Sequence, residues 1–76
     1  MTKQVFEVYW ETKSGRSVRR YSRYFNHEIL ATPFWAKKKA MPSVKMAFCR
    51  EIAVEFDAFG HASEIRFVRL LCAHLA

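Results

Sequence analysis

Residues 43–60, SVKMAFCREIAVEFDAFG, decide how the chain is expected to fold. Large apolar side chains recur here at spacings of four, four, four and three: Val44, Phe48, Ile52, Phe56 and Phe59. Such spacings place side chains along one stripe of an α-helix. Ser43 is a suitable N-cap and Gly60 a suitable helix terminator. The segment therefore predicts a main helix over residues 43–59, with its apolar stripe packed into the core.

A β-hairpin is predicted ahead of this helix. In residues 4–12 the side chains of Phe6, Val8 and Trp10 alternate with more polar ones, which is typical of a half-buried strand. Lys13-Ser14-Gly15 forms the expected turn, because glycine adopts positive φ at little cost. Residues 16–25 form the returning strand. A two-residue turn would pair Tyr9 with Arg20 and a three-residue turn would pair it with Arg19, and both registers stay open.

The remaining segments complete an α+β prediction. Residues 26–41 form either a short helical insertion, capped by Asn26 and restarted at Thr32-Pro33, or a long connecting loop. Residues 64–73 alternate and then become apolar, which predicts a third strand. The expected architecture is a single β-β-α-β domain over residues 1–76. Its three-stranded antiparallel sheet carries the main helix on one face, with the short helical insertion before that helix.

The composition indicates a small folded protein with a concentrated basic charge. Hydrophobic residues at 51% and aromatic residues at 16% supply a core for 76 residues, and the formal net charge is +6. Between residues 13 and 45, nine lysines and arginines accompany one carboxylate, Glu28. Such a field attracts polyanions, although a charge of this size also serves solubility. With no apolar segment of membrane-spanning or signal-peptide type, we expect a cytoplasmic protein with no membrane partner and with Cys49 and Cys72 as free thiols.

The sequence offers no pattern for metal, cofactor or catalytic chemistry. Cys72-Ala73-His74 is the one close pair of potential metal ligands, and no second pair accompanies it. The two glycines, Gly15 and Gly60, form no phosphate-binding loop. Glu51 and Glu55 are explained as the solvated face of a helix. We therefore expect a protein that is not an enzyme and that has no catalytic residue, no metal site and no cofactor.

Two segments combine cations with aromatic rings and carry the binding hypothesis. The second strand of the hairpin interleaves arginine, which binds phosphate or carboxylate through two hydrogen bonds, with tyrosine. The segment from Phe34 to Lys39 joins two aromatic rings to three lysines. The alternative is a solvated strand face and a solubilising loop anchored by buried rings. The predicted partner-binding residues are Arg16, Arg19, Arg20, Tyr21, Arg23, Trp35, Lys37, Lys38 and Lys39.

The predicted order of elements, from Val5–Phe25 through Ser43–Phe59 to Glu64–Ala73, resembles that of small accessory proteins of bacteriophages. Among these the chain is similar to anti-CRISPR proteins. The resemblance rests on length and element order, and no family motif or functional residue is transferred. It implies an inhibitor that binds a host effector complex in the bacterial cytoplasm and blocks nucleic-acid handling. Many such inhibitors are acidic DNA mimics, whereas this basic chain favours an acidic protein patch or a nearby guide RNA.

Three functions are ranked on these grounds. The first is a non-enzymatic inhibitor or adaptor that binds an acidic protein surface or a ribonucleoprotein complex. The second is a nucleic-acid-binding module, for DNA or RNA, that uses the same basic surface. The third is a small metal-independent ribonuclease toxin, whose chemistry would suit the cluster Arg19, Arg20, Tyr21, Arg23 and Tyr24. The protein is expected to be a monomer or a homodimer, since an exposed edge strand allows sheet extension.

Overall fold

The computed structural model describes residues 1–76 and contains four strands and one helix. The elements are β1 (Thr2–Ser14), β2 (Ser17–Phe25), α1 (Glu28–Lys39), β3 (Val44–Phe56) and β4 (Ala62–Leu75). The strands form one antiparallel sheet in the order β2-β1-β3-β4. The prediction of three strands and a main helix is therefore wrong, because the segment expected to be that helix is the central strand β3. The helix is not of the length and hydrophobicity that a membrane crossing requires.

The apolar spacing in β3 explains this error. A spacing of four residues is one helical turn, but it is also two full pleats of a strand. Phe48, Ile52 and Phe56 consequently share one face of the strand, while Ala47 and Cys49 occupy the other. Both faces of β3 are largely apolar, with Ala47, Cys49 and Ala53 on one and Phe48, Ile52 and Val54 on the other. An apolar run of this kind is equally typical of a helix and of a central strand.

The hairpin is present, but its turn lies one residue later than predicted. Ser14 pairs with Ser17, so Gly15 and Arg16 form a two-residue turn. Gly15 has φ of 59°, and no non-glycine residue has positive φ, which is the pattern of a type II′ turn. Tyr9 consequently lies opposite Ser22, and both predicted registers, with Arg19 or Arg20, are wrong.

Residues 28–39 form one continuous helix in place of the predicted short turns. Pro33 lies inside α1 and removes one backbone donor, yet the helix continues through it. The Thr32 hydroxyl donates to the carbonyl oxygen of Glu28 at 3.2 Å, one turn earlier. His27, and not Asn26, is the N-cap residue, and its side chain makes no capping hydrogen bond. Tertiary packing, more than capping, therefore holds α1 in place.

The helix covers one face of the sheet, here called the helix face, and leaves the other, the open face, uncovered. Phe6, Val8 and Cys49 are buried beneath Ala31 of α1. The indole Nε1 of Trp35 donates to the carbonyl oxygen of Ala47 at 2.9 Å and fixes the helix over β3. Only ten of the 76 residues are buried, so the core is thin. Most of these residues lie beneath α1, whereas Glu7, Ile52 and Val54 are buried on the open face.

The connection between β3 and β4 is a turn built on Asp57. Its carboxylate accepts hydrogen bonds from the backbone N–H groups of Phe59 at 2.9 Å and His61 at 3.0 Å. Gly60, expected to end a helix, adopts φ of 80° within this turn. The turn permits β4 to return along β3 over 14 residues, with register shifts between Cys49 and Arg50, between Glu51 and Ile52, and between Glu55 and Phe56.

Replacing Asp57 tests the hairpin directly. Asp57→Ala should lower the free energy of unfolding by about 1–2 kcal/mol, because two backbone donors lose a charged acceptor. Asp57→Asn is the matched control and should lose less, since its amide oxygen still accepts. Urea denaturation at neutral pH measures both. If residues 43–59 were helical, removing an acid from the helix C-terminus would instead stabilise the protein.

The two cysteines face each other across β3 and β4 as free thiols. Burial, with smaller contributions from Cys72 and Glu28, raises the pKa of the Cys49 thiol to about 11. Cys49 is fully buried, whereas Cys72 is half-buried. A buried thiol with a raised pKa is a poor nucleophile at neutral pH.

Alkylation should distinguish the two thiols. In native protein treated with iodoacetamide at pH 8, Cys72 should be modified first and Cys49 should stay unmodified, while urea should expose both. Peptide mass spectrometry reads each site, and Cys72→Ala confirms the assignment. Modification of Cys49 at the same rate in native and in denatured protein would contradict its place under α1.

Candidate binding surface

Strand alternation divides the arginines of β2 between the two faces of the sheet. Arg19, Tyr21 and Arg23 lie opposite Thr12, Trp10 and Val8. Since Val8 is buried beneath α1, these three side chains belong to the helix face. Arg20 lies opposite Glu11 on the open face and pairs with it at 3.6 Å. The predicted set is therefore not one continuous surface, and Arg20 is separated from the other arginines.

On the helix face, cations from β2 and α1 meet around a group of aromatic rings. Arg23 lies 5.1 Å from the Phe34 ring centre, and the Lys38 Nζ lies 5.0 Å from the same ring. Lys38 is also 4.9 Å from the Trp10 ring, on which Tyr21 stacks at 5.3 Å. We call Trp10, Tyr21, Arg23, Phe34 and Lys38 the cation–aromatic cluster. Cation–π attraction holds the two positive charges in defined places on the surface.

The other predicted residues of α1 lie near this cluster but have different roles. Trp35 is half-buried and its indole is hydrogen-bonded to β3, so it stabilises the fold and contributes less to the surface. The Lys39 Nζ lies 4.5 Å from the Trp35 ring. Lys37 is exposed. All three lysines occupy the last turn of α1, where positive charge also stabilises the negative end of the helix dipole.

A polar groove of ≈ 520 Å³ adjoins the cluster, between the tip of the hairpin and the loop that follows α1. The backbone N–H of Lys13 donates to the carbonyl oxygen of Ser43 at 3.0 Å and joins these two segments. Besides Arg19, Tyr21 and Met41, the groove is lined by Lys13 and by the hydroxyl side chains of Thr12, Ser14, Ser17 and Ser43. We call it the hydroxyl groove. Hydroxyl and cationic donors together suit the oxygens of an anionic group.

The positive charge of this region is not neutralised within the molecule. Apart from Arg20, the eight lysines and arginines of residues 13–45 form no ion pair. The one acid of that segment, Glu28, pairs with Arg69 of β4 at 3.2 Å. Arg69 also binds Glu51 at 2.7 Å. Hydrogen bonds from Gln4 and from Arg69 lower the pKa of the Glu51 carboxyl. The carboxylates near α1 therefore form their ion pairs with β4, away from the cluster.

Several of these residues were absent from the predicted site. Trp10 was interpreted as core because its alternation matches that of Phe6 and Val8, and Phe34 was interpreted as a buried anchor. The four hydroxyl residues of the groove carry no sequence signal, since serine and threonine near a turn are common. Their convergence depends on where the loop after α1 meets the hairpin, which is a tertiary property.

The residues proposed for catalysis are separated as well. Arg20 and Tyr24 lie on the open face, while Arg19, Tyr21 and Arg23 lie on the helix face. Tyr24 is close to Glu7, and burial together with a hydrogen bond to that carboxylate raises the pKa of its phenol. The structure contains no group of three or more histidine, cysteine or acidic side chains placed to hold a metal ion.

Comparison of the chain with protein-family models, with curated proteins and with solved structures found no match.

Proposed function

We propose that the protein is a non-enzymatic binding protein that engages an anionic macromolecule through the cation–aromatic cluster and the hydroxyl groove. The observation that carries this proposal is the set of unpaired cations at one end of the helix face, beside a groove rich in donors. Positive charge without internal partners attracts and orients an oppositely charged surface. We place this activity in the cytoplasm, as the sequence leads us to expect.

An acidic protein surface or ribonucleoprotein is the partner that the cluster fits best. The rings of Trp10, Phe34 and Tyr21 already pack on one another and against Arg23 and Lys38. Trp10 and Phe34 are half-buried, and only Tyr21, 39% exposed, offers a ring to a base. The cluster therefore lacks the row of rings on which single-strand-binding proteins stack successive bases. What the cluster presents instead is a pair of cations in fixed positions, which lowers the ordering cost of binding carboxylates.

Nucleic acid remains the second candidate because of the hydroxyl groove. Serine and threonine hydroxyls beside Arg19 and Lys13 are typical phosphate-binding groups, and such contacts position a backbone without reading its sequence. This mode predicts binding that weakens steeply with salt and shows little base preference. Blocking of a host nucleic-acid complex stays a prediction. The phage resemblance was based on the predicted order β-β-α-β, whereas the structure has the order β-β-α-β-β. The proposal does not rely on that resemblance.

Charge reversal within the cluster is the test of this proposal. The double variant Arg23→Glu/Lys38→Glu should weaken binding to an Asp/Glu-rich peptide and to a single-stranded oligonucleotide by about tenfold or more, equivalent to about 1.4 kcal/mol. Fluorescence anisotropy at two salt concentrations measures both probes. Arg20→Glu/Lys45→Glu is the matched control, with the same change of charge and without the cluster, and should weaken binding much less.

The outcomes separate the candidates. Tighter binding of the peptide than of the oligonucleotide at both salt concentrations favours the protein partner, whereas tight and steeply salt-dependent binding of the oligonucleotide favours nucleic acid. Equal losses in the two double variants would show that only net charge matters and would contradict a defined site. Cleavage of a labelled RNA by the purified protein, lost in Arg23→Glu/Lys38→Glu, would establish the ribonuclease instead.

A further inference from the structure

On its β3–β4 half the open face carries exposed apolar side chains of β4, which lie beside the buried Ile52 and Val54 of β3. The cross-strand pairs Ile52–Phe67 and Val54–Ile65 lie on this face, with Leu70 opposite Arg50 and Leu75 opposite Met46. Ile65, Phe67 and Leu70 are 60%, 57% and 55% exposed, and Leu75 is 77% exposed. We call Met46, Phe48, Ile65, Phe67, Leu70 and Leu75 the apolar surface.

This surface is not the usual outer face of an antiparallel sheet. Where one face of such a sheet meets water, its side chains are normally polar, and the helix face is the one that packs. Here the outer side chains of β4 are apolar instead. Large contiguous apolar patches on a small protein mark interaction sites. A concave region of ≈ 370 Å³ on the same surface, lined mainly by apolar side chains, provides a place for a protruding side chain to enter.

We propose that two copies of the chain associate through their apolar surfaces, face to face across a two-fold axis. In a two-fold interface a patch contacts the same patch of the second copy. An apolar surface meets this requirement, because two apolar surfaces can pack together. Two sheets pack about 10 Å apart when their inner faces are both apolar. The dimer would bury the exposed apolar side chains of β4 and so add buried area to a thin core.

The exposed side chains supply part of the area that this occupant needs. A fully exposed aromatic side chain offers about 150–250 Å², so Phe67 at 57% exposure supplies roughly 100 Å². Four exposed side chains of comparable size provide roughly half of the ~800 Å² that each partner buries in a standard interface. The half-buried Met46 and Phe48, the neighbouring Ala73 and the strand backbone lie within the same area.

The charge distribution also favours a second copy at this face. Two chains of net charge +6 repel each other, and the repulsion is strongest where their cations approach. Arg50, which lies within the apolar surface, is neutralised by an ion pair with Glu7. Lys3, opposite Val54, is the remaining cation at the margin of this surface. The cation–aromatic cluster lies on the opposite face of the sheet and toward the β2 edge. Face-to-face packing therefore keeps the two basic clusters apart and exposed, and the dimer is independent of the proposed anion binding.

Mass measurement in solution tests the dimer. Light scattering on a sizing column, at about 100 µM protein and 0.5 M salt, should give twice the chain mass of 9.0 kDa. High salt screens the repulsion and does not weaken apolar contacts, so a dimer of this kind should persist there. Leu70→Glu should give the monomer mass, because it buries a charge at the interface. Leu75→Glu should do the same, and it serves as the second variant if Leu70→Glu loses its strand signal in circular dichroism.

Val18→Glu is the matched control, because Val18 is also an exposed apolar residue on the open face, at the far β2 edge. It should remain dimeric. A monomeric wild-type protein under these conditions would overturn the proposal. So would a dimer that survives both glutamate variants of β4, or one that Val18→Glu dissociates equally well.

Discussion

The pairing of β3 on both of its edges is the constraint from which the rest of the molecule follows. Along 13 residues this strand bonds to β1 on one side and to β4 on the other, which makes a four-stranded sheet from a chain of 76 residues. With four strands and only one helix of 12 residues, the chain has enough material to cover a single face. The buried positions on the helix face accept small or compact side chains, such as Ala31, Ala47 and Cys49, so α1 packs closely on the sheet.

One-sided cover gives the protein two surfaces with different chemistry. Beneath and beside α1, rings from β1, β2 and the helix pack together and carry Arg23 and Lys38 at the surface. On the other side of the sheet, β4 presents apolar side chains to the exterior. Because the two surfaces lie on opposite faces of the sheet and toward opposite edges, both can be occupied at once. A dimer formed through the second surface would present two copies of the first, and such bivalency strengthens binding to an extended partner.

The sequence predicted the two strands of the first hairpin and the last strand, but not the strand β3, the hairpin register or the tertiary arrangement. The alternation around Phe6, Val8 and Trp10 correctly indicated a strand with these residues facing the core. The period of four in 44–56 could not decide between helix and strand, because one helical turn and two pleats coincide. The β-branched residues Val44, Ile52 and Val54 favour a strand, a signal that the helix prediction from the spacing and from Ser43 and Gly60 did not use.

The binding residues show the same division. A basic and aromatic strand drew attention to Arg19, Tyr21 and Arg23, but the face on which each side chain lies depends on the register. A turn at Gly15-Arg16 places Arg20 against Glu11, away from its neighbours in sequence. Lys38 lies over Trp10 and Phe34 only because α1 runs through Pro33 without a break. Single-sequence patterns carry no information about such contacts between elements.

The conformation of residues 44–56 is the point at which the account is most directly open to test. Nuclear magnetic resonance of the labelled protein reports it through backbone contacts. A central strand should show cross-strand contacts from Cys49 to Val8 on one side and to Cys72 on the other, as the register requires. Successive amide–amide contacts through residues 44–56, with contacts between residues three apart, would instead show a helix. Neither the covered face with its cations nor the open apolar face would then exist as described.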